Sequence, residues 1–172
     1  GFLTQRHFDP KVVAPEAITY KRQLSEPLIG QEIKASKNPP VKMIWINASN
    51  PVVSCPNSNK VIEALKGLDF VVVVDQFMTD TAELAHIFLP TTTFFEEEDM
   101  VVSWGHNWIG PVNKAIEPLG ESKSDLQIVQ ELSKRLGLAK EMEGSPGEWL
   151  KRIFKPMEKL GLSVERVMES PV

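Results

Sequence analysis

The chain has 172 residues, of which 42% are hydrophobic, so it can bury a core and a disordered protein is excluded. The formal net charge is −4 and the lysines and arginines are scattered, which argues against nucleic acid as the main partner. The single cysteine, Cys55, cannot build a zinc or iron–sulfur site without ligands from elsewhere. No apolar run approaches the roughly 20 residues that a membrane helix needs, and no targeting pattern is present.

The first 40 residues are rich in proline and only weakly periodic, which predicts an irregular lead-in over residues 1–40. Within this segment Ser25-Glu26-Pro27 can open a short helix, because proline suits the first helical turn. The chain begins with Gly1 rather than Met, so we expect it to be a piece of a larger protein.

Three apolar runs predict the strands of a parallel sheet. Residues 41–46 predict a buried strand, and residues 86–89 predict a short one that ends before a proline. Residues 69–75 form a near-continuous β-branched run, which is typical of a strand covered on both faces. Between the first two strands the sequence predicts a helix that is capped near residues 57–58 and ends at Gly67.

Strands that alternate with helical crossovers define the predicted fold class, a three-layer α/β/α, Rossmann-like parallel sheet with additional C-terminal helices. We predict that residues 41–137 form this α/β domain. Residues 138–172 are predicted to be a helical extension packed on it. Residues 91–118 show no clear period, so no regular element is predicted there.

Capping residues mark the predicted C-terminal helices. A helix is predicted over residues 124–136, and others are predicted to open at Ser145 and at Ser163. Pro156 should end or kink the second of these. The side chains of the first helix that we expect to face inward are those of Val129, Leu132 and Leu136.

Ligands of open parallel sheets bind beyond the carboxyl ends of the strands. In this chain the predicted strand ends lie at residues 47–57, 75–80 and 90–94. Asn50 and Ser54 offer neutral hydrogen-bonding side chains there. Asp75 offers a carboxylate that can accept two N–H groups from the edge of a purine-type base, although it can equally be a carboxylate that caps a helix at the strand end.

Two common nucleotide-binding fingerprints are absent from the chain. No G-x-G-x-x-G follows a strand, and there is no G-x-x-x-x-G-K-[ST] phosphate loop. These absences disfavour an ordinary NAD-binding domain and a P-loop NTPase.

Several motifs occur in order at compatible spacing over roughly residues 41–137. They are Ile46-Asn47-Ala48-Ser49-Asn50-Pro51, then Asp75-Gln76-Phe77-Met78-Thr79-Asp80-Thr81-Ala82 after its hydrophobic strand, then Leu84-Ala85-His86-Ile87-Phe88-Leu89-Pro90. Together they resemble the molybdopterin oxidoreductases of the dimethyl sulfoxide reductase family. The pattern in that family is a strand ending near Asn-Pro, a helix, a strand leading to Asp-x-Phe-x-Thr-x-Thr-Ala, and a Leu-Pro segment followed by a glutamate.

The resemblance implies an enzyme that holds molybdenum or tungsten between two pyranopterin guanine dinucleotides, with this chain as one dinucleotide-binding domain. It implies that Asn50 and Ser54 contact the guanosine end of one molybdopterin guanine dinucleotide. By the same likeness Asp75 hydrogen-bonds its base or ribose, while Phe77 and Thr79 shape the adjacent loop. We expect no catalytic residue and no metal ligand in the chain, which by itself should be inactive.

The sequence departs from the family pattern at two places. The aspartate of the family's Ala-Asp segment is His86 here, and residues 100–108 replace a frequent Gly-Arg motif. Both departures bear on the substrate subclass. The family's cysteine cluster, metal-ligating residue and carboxy-terminal domain have no counterpart in the chain. We therefore expect the partners to be the remaining domains of the same enzyme and an electron-transfer subunit.

Other reactive side chains receive ordinary interpretations. Cys55 is interpreted as a buried or incidental thiol rather than a nucleophile or metal ligand. The acidic run of residues 96–99 is interpreted as a solvated turn or an inter-domain contact, because consecutive carboxylates do not converge easily on one ion. His86 and His106 are interpreted as a strand-end and a loop histidine rather than as ligands.

Two alternative functions do not involve a cofactor. A receiver-type signalling domain would use Asp75 as phosphoacceptor, but it needs an acidic pair after the first strand, where Asn47 and Asn50 stand. The other alternative is an α/β interaction module whose cofactor site is vestigial.

Overall fold

The computed structural model describes residues 23–102 and 108–169, and in it the chain forms two compact units. The sheet unit contains residues 23–91 and 121–123 of the described chain. The helical unit contains residues 92–102, 108–120 and 124–169 of the described chain. No helix in the described ranges is long and apolar enough to cross a membrane.

A three-stranded parallel sheet in the order β1-β2-β3 is the centre of the sheet unit, which confirms the predicted α/β class. The strands are β1 (Met43–Asn47), β2 (Phe70–Asp75) and β3 (Ile87–Pro90). In β2 all four valines of the run 71–74 are buried, as expected for a central strand with both faces covered. β1 and β3 are less buried, with Met43 and Ile87 exposed, because each is an edge strand of the described sheet and pairs on one side only.

Three helices accompany this sheet in the described part of the unit, and the first and third of them pack against each other. A 3-10 turn at Glu26–Leu28, with Ser25 at its N-cap, leads into α1 (Ile29–Ala35), which confirms the short helix predicted to open at Ser25-Glu26-Pro27. The four-residue helix α2 (Pro51–Ser54) follows β1, and then α3 (Ser58–Lys66) follows. Their apolar faces join the sheet in one core that contains Ile33, Ile46, Val61, Leu65, Val71 and Val73.

The predicted ends of α3 are both confirmed. The Asn57 side chain accepts a hydrogen bond from the Lys60 N–H (3.3 Å), and Gly67 forms the C-cap. Asn57 itself adopts the left-handed conformation, with φ at 61°, which asparagine tolerates better than most residues. Between β2 and β3 the chain forms only a 3-10 turn at Ala82–Leu84.

An antiparallel strand pair is the first regular feature of the helical unit. β4 (Asp99–Val102) pairs with β5 (Ile109–Val112), although the sequence predicts no regular element in this segment. Three helices follow, namely α4 (Asp125–Arg135), α5 (Pro146–Phe154) and α6 (Val164–Glu169). The core of this unit is formed by Ile109, Leu150, Phe154, Met157, Val164 and Val167.

The predicted serine caps of α4 and α5 are confirmed, and each is part of a capping box. Ser124 and Ser145 each accept a hydrogen bond from the backbone N–H three residues on, and the Gln127 and Glu148 side chains accept from the cap N–H groups. A 3-10 turn at Lys155–Leu160, with Pro156 in its first turn, ends α5 as predicted.

The predicted inward face of α4 is wrong. Val129, Leu132 and Leu136 are exposed, and the buried side chain is Ser133. The packed face runs instead through Gln130, whose Nε2 donates hydrogen bonds to the carbonyl oxygens of Met142 (2.9 Å) and Gly144 (2.7 Å). These polar contacts orient α4 in a way that hydrophobic periodicity could not indicate.

Candidate functional site

An open cleft of about 330 Å³ lies at the carboxyl ends of the three parallel strands. The loop after β1, the end of β2 and the first residue after β3 all contribute to it. Its lining residues are Ala48, Ser49, Asn50, Asp75, Gln76 and Thr91. The register places Asp75 beside Pro90, so the chain that leaves β3 borders the chain that leaves β2. The sheet therefore gathers three loops from distant parts of the sequence at one edge.

The loop after β1 turns sharply at Ala48. Its N–H still donates to the Val74 carbonyl oxygen (3.0 Å), as a strand residue would, but its φ of 49° lies in the left-handed region. The Asn50 carbonyl oxygen then accepts from the N–H groups of Val53 and Ser54 and so begins α2. This backbone path brings the Asn50 side chain into the cleft lining.

The amide of Asn50 is held by a buried threonine. The Thr81 hydroxyl donates to Asn50 Oδ1 at 2.6 Å, and the same hydroxyl oxygen accepts from the Val52 N–H at 3.1 Å. Thr81 is 0% exposed. Asn50 Nδ2 has no hydrogen-bond partner within the described ranges, so it is the polar group that Asn50 can offer to a ligand.

The carboxylate of Asp75 is only half used by the protein. Oδ1 accepts from the Phe77 N–H (3.1 Å) and holds the tight turn after β2. Oδ2 has no hydrogen-bond partner in the part of the chain that the structure describes. Asp75 thus closes a turn with one oxygen and is able to accept N–H donors with the other. It does not cap a helix, since the next helical residue is Ala82.

Three of the five predicted site residues lie outside the cleft lining, namely Ser54, Phe77 and Thr79. The Ser54 hydroxyl donates to the Asn50 carbonyl oxygen (3.0 Å), and Thr79 Oγ1 accepts from the Ala82 N–H (3.2 Å). The Phe77 side chain is 71% exposed. The structure therefore brings Asn50 and Asp75 together in the cleft and places the other three in the adjoining loops.

Four lining residues were not singled out from the sequence, namely Ala48, Ser49, Gln76 and Thr91. Each occurs within the first three residues after a predicted strand, and this position is the signal that could have identified them. The Thr91 hydroxyl donates to the Lys123 carbonyl oxygen (3.0 Å), and the Lys123 N–H donates to the Pro90 carbonyl oxygen (3.2 Å). A short segment from far along the chain therefore supports this edge of the cleft.

His86 acts within the sheet. Its imidazole Nδ1 accepts a hydrogen bond from the Val71 N–H (3.0 Å), and the backbone N–H of His86 donates to the Val71 carbonyl oxygen (2.8 Å). An aspartate, the residue expected here from the family pattern, carries carboxylate oxygens that accept such a bond equally well. The departure at His86 therefore has a structural explanation. His106 lies outside the described residues.

The acidic run of residues 96–99 is not uniformly solvated, so the interpretation as a solvated turn is wrong for Glu96. Glu96 is 6% exposed. Its Oε2 accepts from the N–H and the hydroxyl of Thr93 (2.7 and 2.9 Å), and its Oε1 accepts from the Leu119 N–H (2.6 Å). These bonds, led by the one from the Thr93 backbone, lower the pKa of Glu96. Glu96 is therefore a structural carboxylate.

The chemistry of the lining indicates what kind of group fits. Among the described residues, no lysine or arginine lines the cleft, which offers neutral donors and acceptors and the Asp75 carboxylate. Such a set suits the base and sugar of a nucleoside better than a string of phosphates. No cluster of three or more histidine, cysteine, aspartate or glutamate side chains within the described ranges could hold a metal ion. Cys55 is buried, as expected.

A parallel sheet whose strand ends form a cleft, with mostly polar residues along it, is the arrangement typical of α/β ligand-binding domains. The family model of the molybdopterin oxidoreductases matches residues 14–135. The chain belongs to the molybdopterin oxidoreductase family. Membership implies a molybdenum or tungsten pterin cofactor, and the neutral hydrogen-bonding groups and the carboxylate of the cleft fit a polar part of that group.

Individual relatives are similar over most of this chain. The "Probable oxidoreductase YyaE" of Bacillus subtilis (strain 168) is 38% identical over 160 residues, which are 92% of this chain and 24% of that protein. The dimethyl sulfoxide/trimethylamine N-oxide reductase of Rhodobacter capsulatus is 34% identical over 130 residues, which are 73% of this chain and 16% of that protein. The chain thus spans about a quarter or less of the length of these curated relatives.

One solved structure supports the fold. The acetylene hydratase from Pelobacter acetylenicus superposes with a TM-score of 0.69 and is 28% identical in sequence. The match covers 86% of this chain and 20% of that one. The α/β architecture therefore recurs in a solved protein with detectable sequence similarity.

Proposed function

We propose that this chain is the cofactor-binding part of a molybdenum or tungsten oxidoreductase, and that its cleft holds the guanosine part of one molybdopterin guanine dinucleotide. The observation that carries the proposal is the cleft itself, where Asp75 and Asn50 meet at the strand ends in a chain of this family. When bound, the metal–pterin group supplies the redox chemistry. The residues of this chain bind and orient the nucleoside.

Asp75 is the proposed acceptor for the base. A guanine edge carries adjacent N–H groups, and a carboxylate accepts such donors with charge-assisted hydrogen bonds. The Asp75 oxygen that the turn leaves unused suits this role, because the other oxygen fixes the side chain through the Phe77 N–H. Burial of the bonded pair away from water would strengthen the contact.

Asn50 is the proposed donor, since its Nδ2 can meet an acceptor oxygen of the ribose, base or adjoining phosphate. Ser54, Phe77 and Thr79 act through the loops in this proposal. The bonds of Ser54 and Thr79 to the backbone hold the loops that carry Asn50 and Asp75. The remaining domains of the same enzyme and an electron-transfer subunit are the proposed partners.

The experiment compares Asp75→Asn with the wild type in the complete enzyme, purified with its cofactor. Acid release of guanosine monophosphate per polypeptide, together with pterin content, measures occupancy. The substitution removes a charge-assisted acceptor and places an amide N–H against the N–H groups of the base. Retention of the cofactor should therefore weaken about 10-fold or more. Asp80→Asn is the matched control. Asp80 is an exposed aspartate near the same turn but outside the cleft lining, so its substitution makes the same change in charge without touching the cleft.

Asn50→Asp tests the donor. The carboxylate keeps an oxygen for the Thr81 hydroxyl and replaces the N–H donor by an acceptor, so occupancy should fall while the fold is retained. Asn59→Asp on α3 is the matched control, since Asn59 is exposed. Unchanged guanosine monophosphate and pterin content in both Asp75→Asn and Asn50→Asp would show that the assignment is wrong.

A further inference from the structure

We propose that Thr81 is a positioning residue that orients the Asn50 amide, so that Asn50 presents a hydrogen-bond donor, and not an acceptor, to a ligand in the cleft. The inference rests on the proposed function, because it concerns how the same cleft selects its ligand. Thr81 does not line the cleft, and it stands 31 residues after Asn50 in the sequence. It would act on the ligand only through Asn50.

The hydroxyl oxygen of Thr81 accepts a hydrogen bond from the backbone. The Val52 N–H can only donate, so Thr81 Oγ1 is the acceptor in their 3.1 Å contact. This contact occupies one lone pair of the oxygen, and the single hydroxyl proton can point at Asn50. Val52 belongs to α2, so the backbone of the short helix after β1 helps to hold the Thr81 hydroxyl in place.

The short distance to Asn50 identifies which amide atom faces Thr81. At 2.6 Å the contact suits an O–H···O bond, whose usual distance is shorter than that of an N–H···O bond. The amide oxygen therefore faces the hydroxyl. Because Thr81 is fully buried, the oxygen side of the amide faces the protein interior, which leaves Nδ2 as the group that a ligand can reach.

This arrangement has a consequence for specificity. An asparagine free to rotate its amide by half a turn presents either a donor or an acceptor. When Thr81 holds its amide, Asn50 presents the Nδ2 donor, so a ligand with an acceptor oxygen at that place is favoured. A ligand with an N–H group there would place its donor against the donor of Asn50. Such a mismatch costs more than a missing hydrogen bond.

The test measures the affinity of guanosine monophosphate for the cofactor-free complete polypeptide by calorimetry, together with the unfolding temperature of each variant. Thr81→Val, which has the same shape without the hydroxyl, should weaken binding about fivefold, as expected for the loss of one orienting hydrogen bond. Thr81→Ser keeps the hydroxyl and should restore the affinity. Both readouts are independent of the activity of the loaded enzyme.

A double-mutant cycle separates positioning from general stability. Thr81→Val also unpairs the buried Val52 N–H, so its unfolding temperature should fall in any background. Its effect on affinity should disappear when Asn50 is already Ala, because no amide remains to be oriented.

Two results would contradict the inference, and they differ from a failure of the proposed function. If Thr81→Val weakens binding equally with and without the Asn50 amide, Thr81 does not act through Asn50. If Asn50→Ala weakens binding and Thr81→Val does not, the amide needs no orientation. If Asn50→Ala itself leaves the affinity unchanged, the proposed contact of Asn50 is wrong, and the inference fails with it.

Discussion

Glu96 and Glu97 are adjacent in the sequence, but their carboxylates experience opposite environments. Hydrogen bonds from Thr93 and Leu119 lower the pKa of Glu96. Burial raises the pKa of Glu97, with further contributions from the nearby carboxylates of Asp99, Asp125 and Glu96, while the Thr92 hydroxyl opposes the shift. The first carboxylate is stabilised in its ionised form by folding, and the second is destabilised.

We predict opposite effects for Glu96→Gln and Glu97→Gln. A lowered pKa in the folded state contributes stability above the ordinary carboxyl pKa, and this stability is lost as the pH falls through the folded value. Glu96→Gln should therefore lower the unfolding temperature at neutral pH, since an amide cannot accept all three bonds. A raised pKa destabilises the fold as the pH rises through the folded value, so Glu97→Gln should raise the unfolding temperature by about 1–2 °C.

Thermal unfolding followed by circular dichroism at several pH values measures both effects. The two differences from the wild type should shrink as the pH falls into the range where carboxyl groups are protonated. Glu98→Gln is the control, because Glu98 is an exposed neighbour that undergoes the same charge change. Equal shifts in all three variants would mean that net charge, not local environment, determines the stability of this turn.

At the scale of elements, the contact of α1 with α3 depends on Gly30. A Cβ atom on Gly30 would lie 2.7 Å from the Lys60 carbonyl carbon and 2.7 Å from the Val61 backbone nitrogen. Backbone atoms cannot move aside as a flexible side chain can. The two helices would have to separate, which disturbs the close packing around Ile33.

We therefore predict that Gly30→Ala destabilises the protein by about 1–3 kcal/mol, in spite of the better helix propensity of alanine. Urea unfolding measures the change. Gly147→Ala in α5 is the matched control, because an added Cβ there meets no atom within 4 Å. The control should be neutral or stabilising by up to about 1 kcal/mol. A Gly30→Ala variant as stable as this control would refute the close-packing argument.

Elements with strong local signals were predictable from the sequence. The valine run of β2, the Asn57 cap of α3 and the serine caps of α4 and α5 were all identified in this way. The pair β4 and β5 was not identified, because its residues carry no alternating pattern and become strands only by pairing with each other. The orientation of α4 failed for a related reason, since the contacts of Gln130 with Met142 and Gly144 override its hydrophobic stripe.

At the scale of the whole molecule, the cleft is open and the chain spans about a quarter of the length of the Bacillus subtilis relative YyaE. We expect the chain by itself to bind guanosine monophosphate weakly, with a dissociation constant above about 10 μM, because ordering the loops offsets part of the contact energy. Calorimetric titration of the 172-residue chain measures this constant. Binding tighter than about 1 μM would mean that the cleft is already complete without further protein.

The candidate site was predictable to the level of its loops. Sequence patterns indicated that the ends of β1, β2 and β3 meet at one edge, and they singled out Asn50 and Asp75, which line the cleft. They also singled out Ser54, which bonds to the backbone, and did not single out Thr91, which lines the cleft. Sequence position specifies a loop, but the direction of each side chain depends on the turn that the loop adopts.

The sequence by itself determined the α/β class, the central strand, the helix caps and the family, because periodicity, capping and motif spacing are properties of consecutive residues. Only the tertiary structure decided that Glu96 is buried and that Thr81 fixes the Asn50 amide. These outcomes depend on atoms that approach within hydrogen-bonding distance from positions 23 and 31 residues apart. No local pattern encodes such contacts, because they exist only once the sheet and its loops have formed.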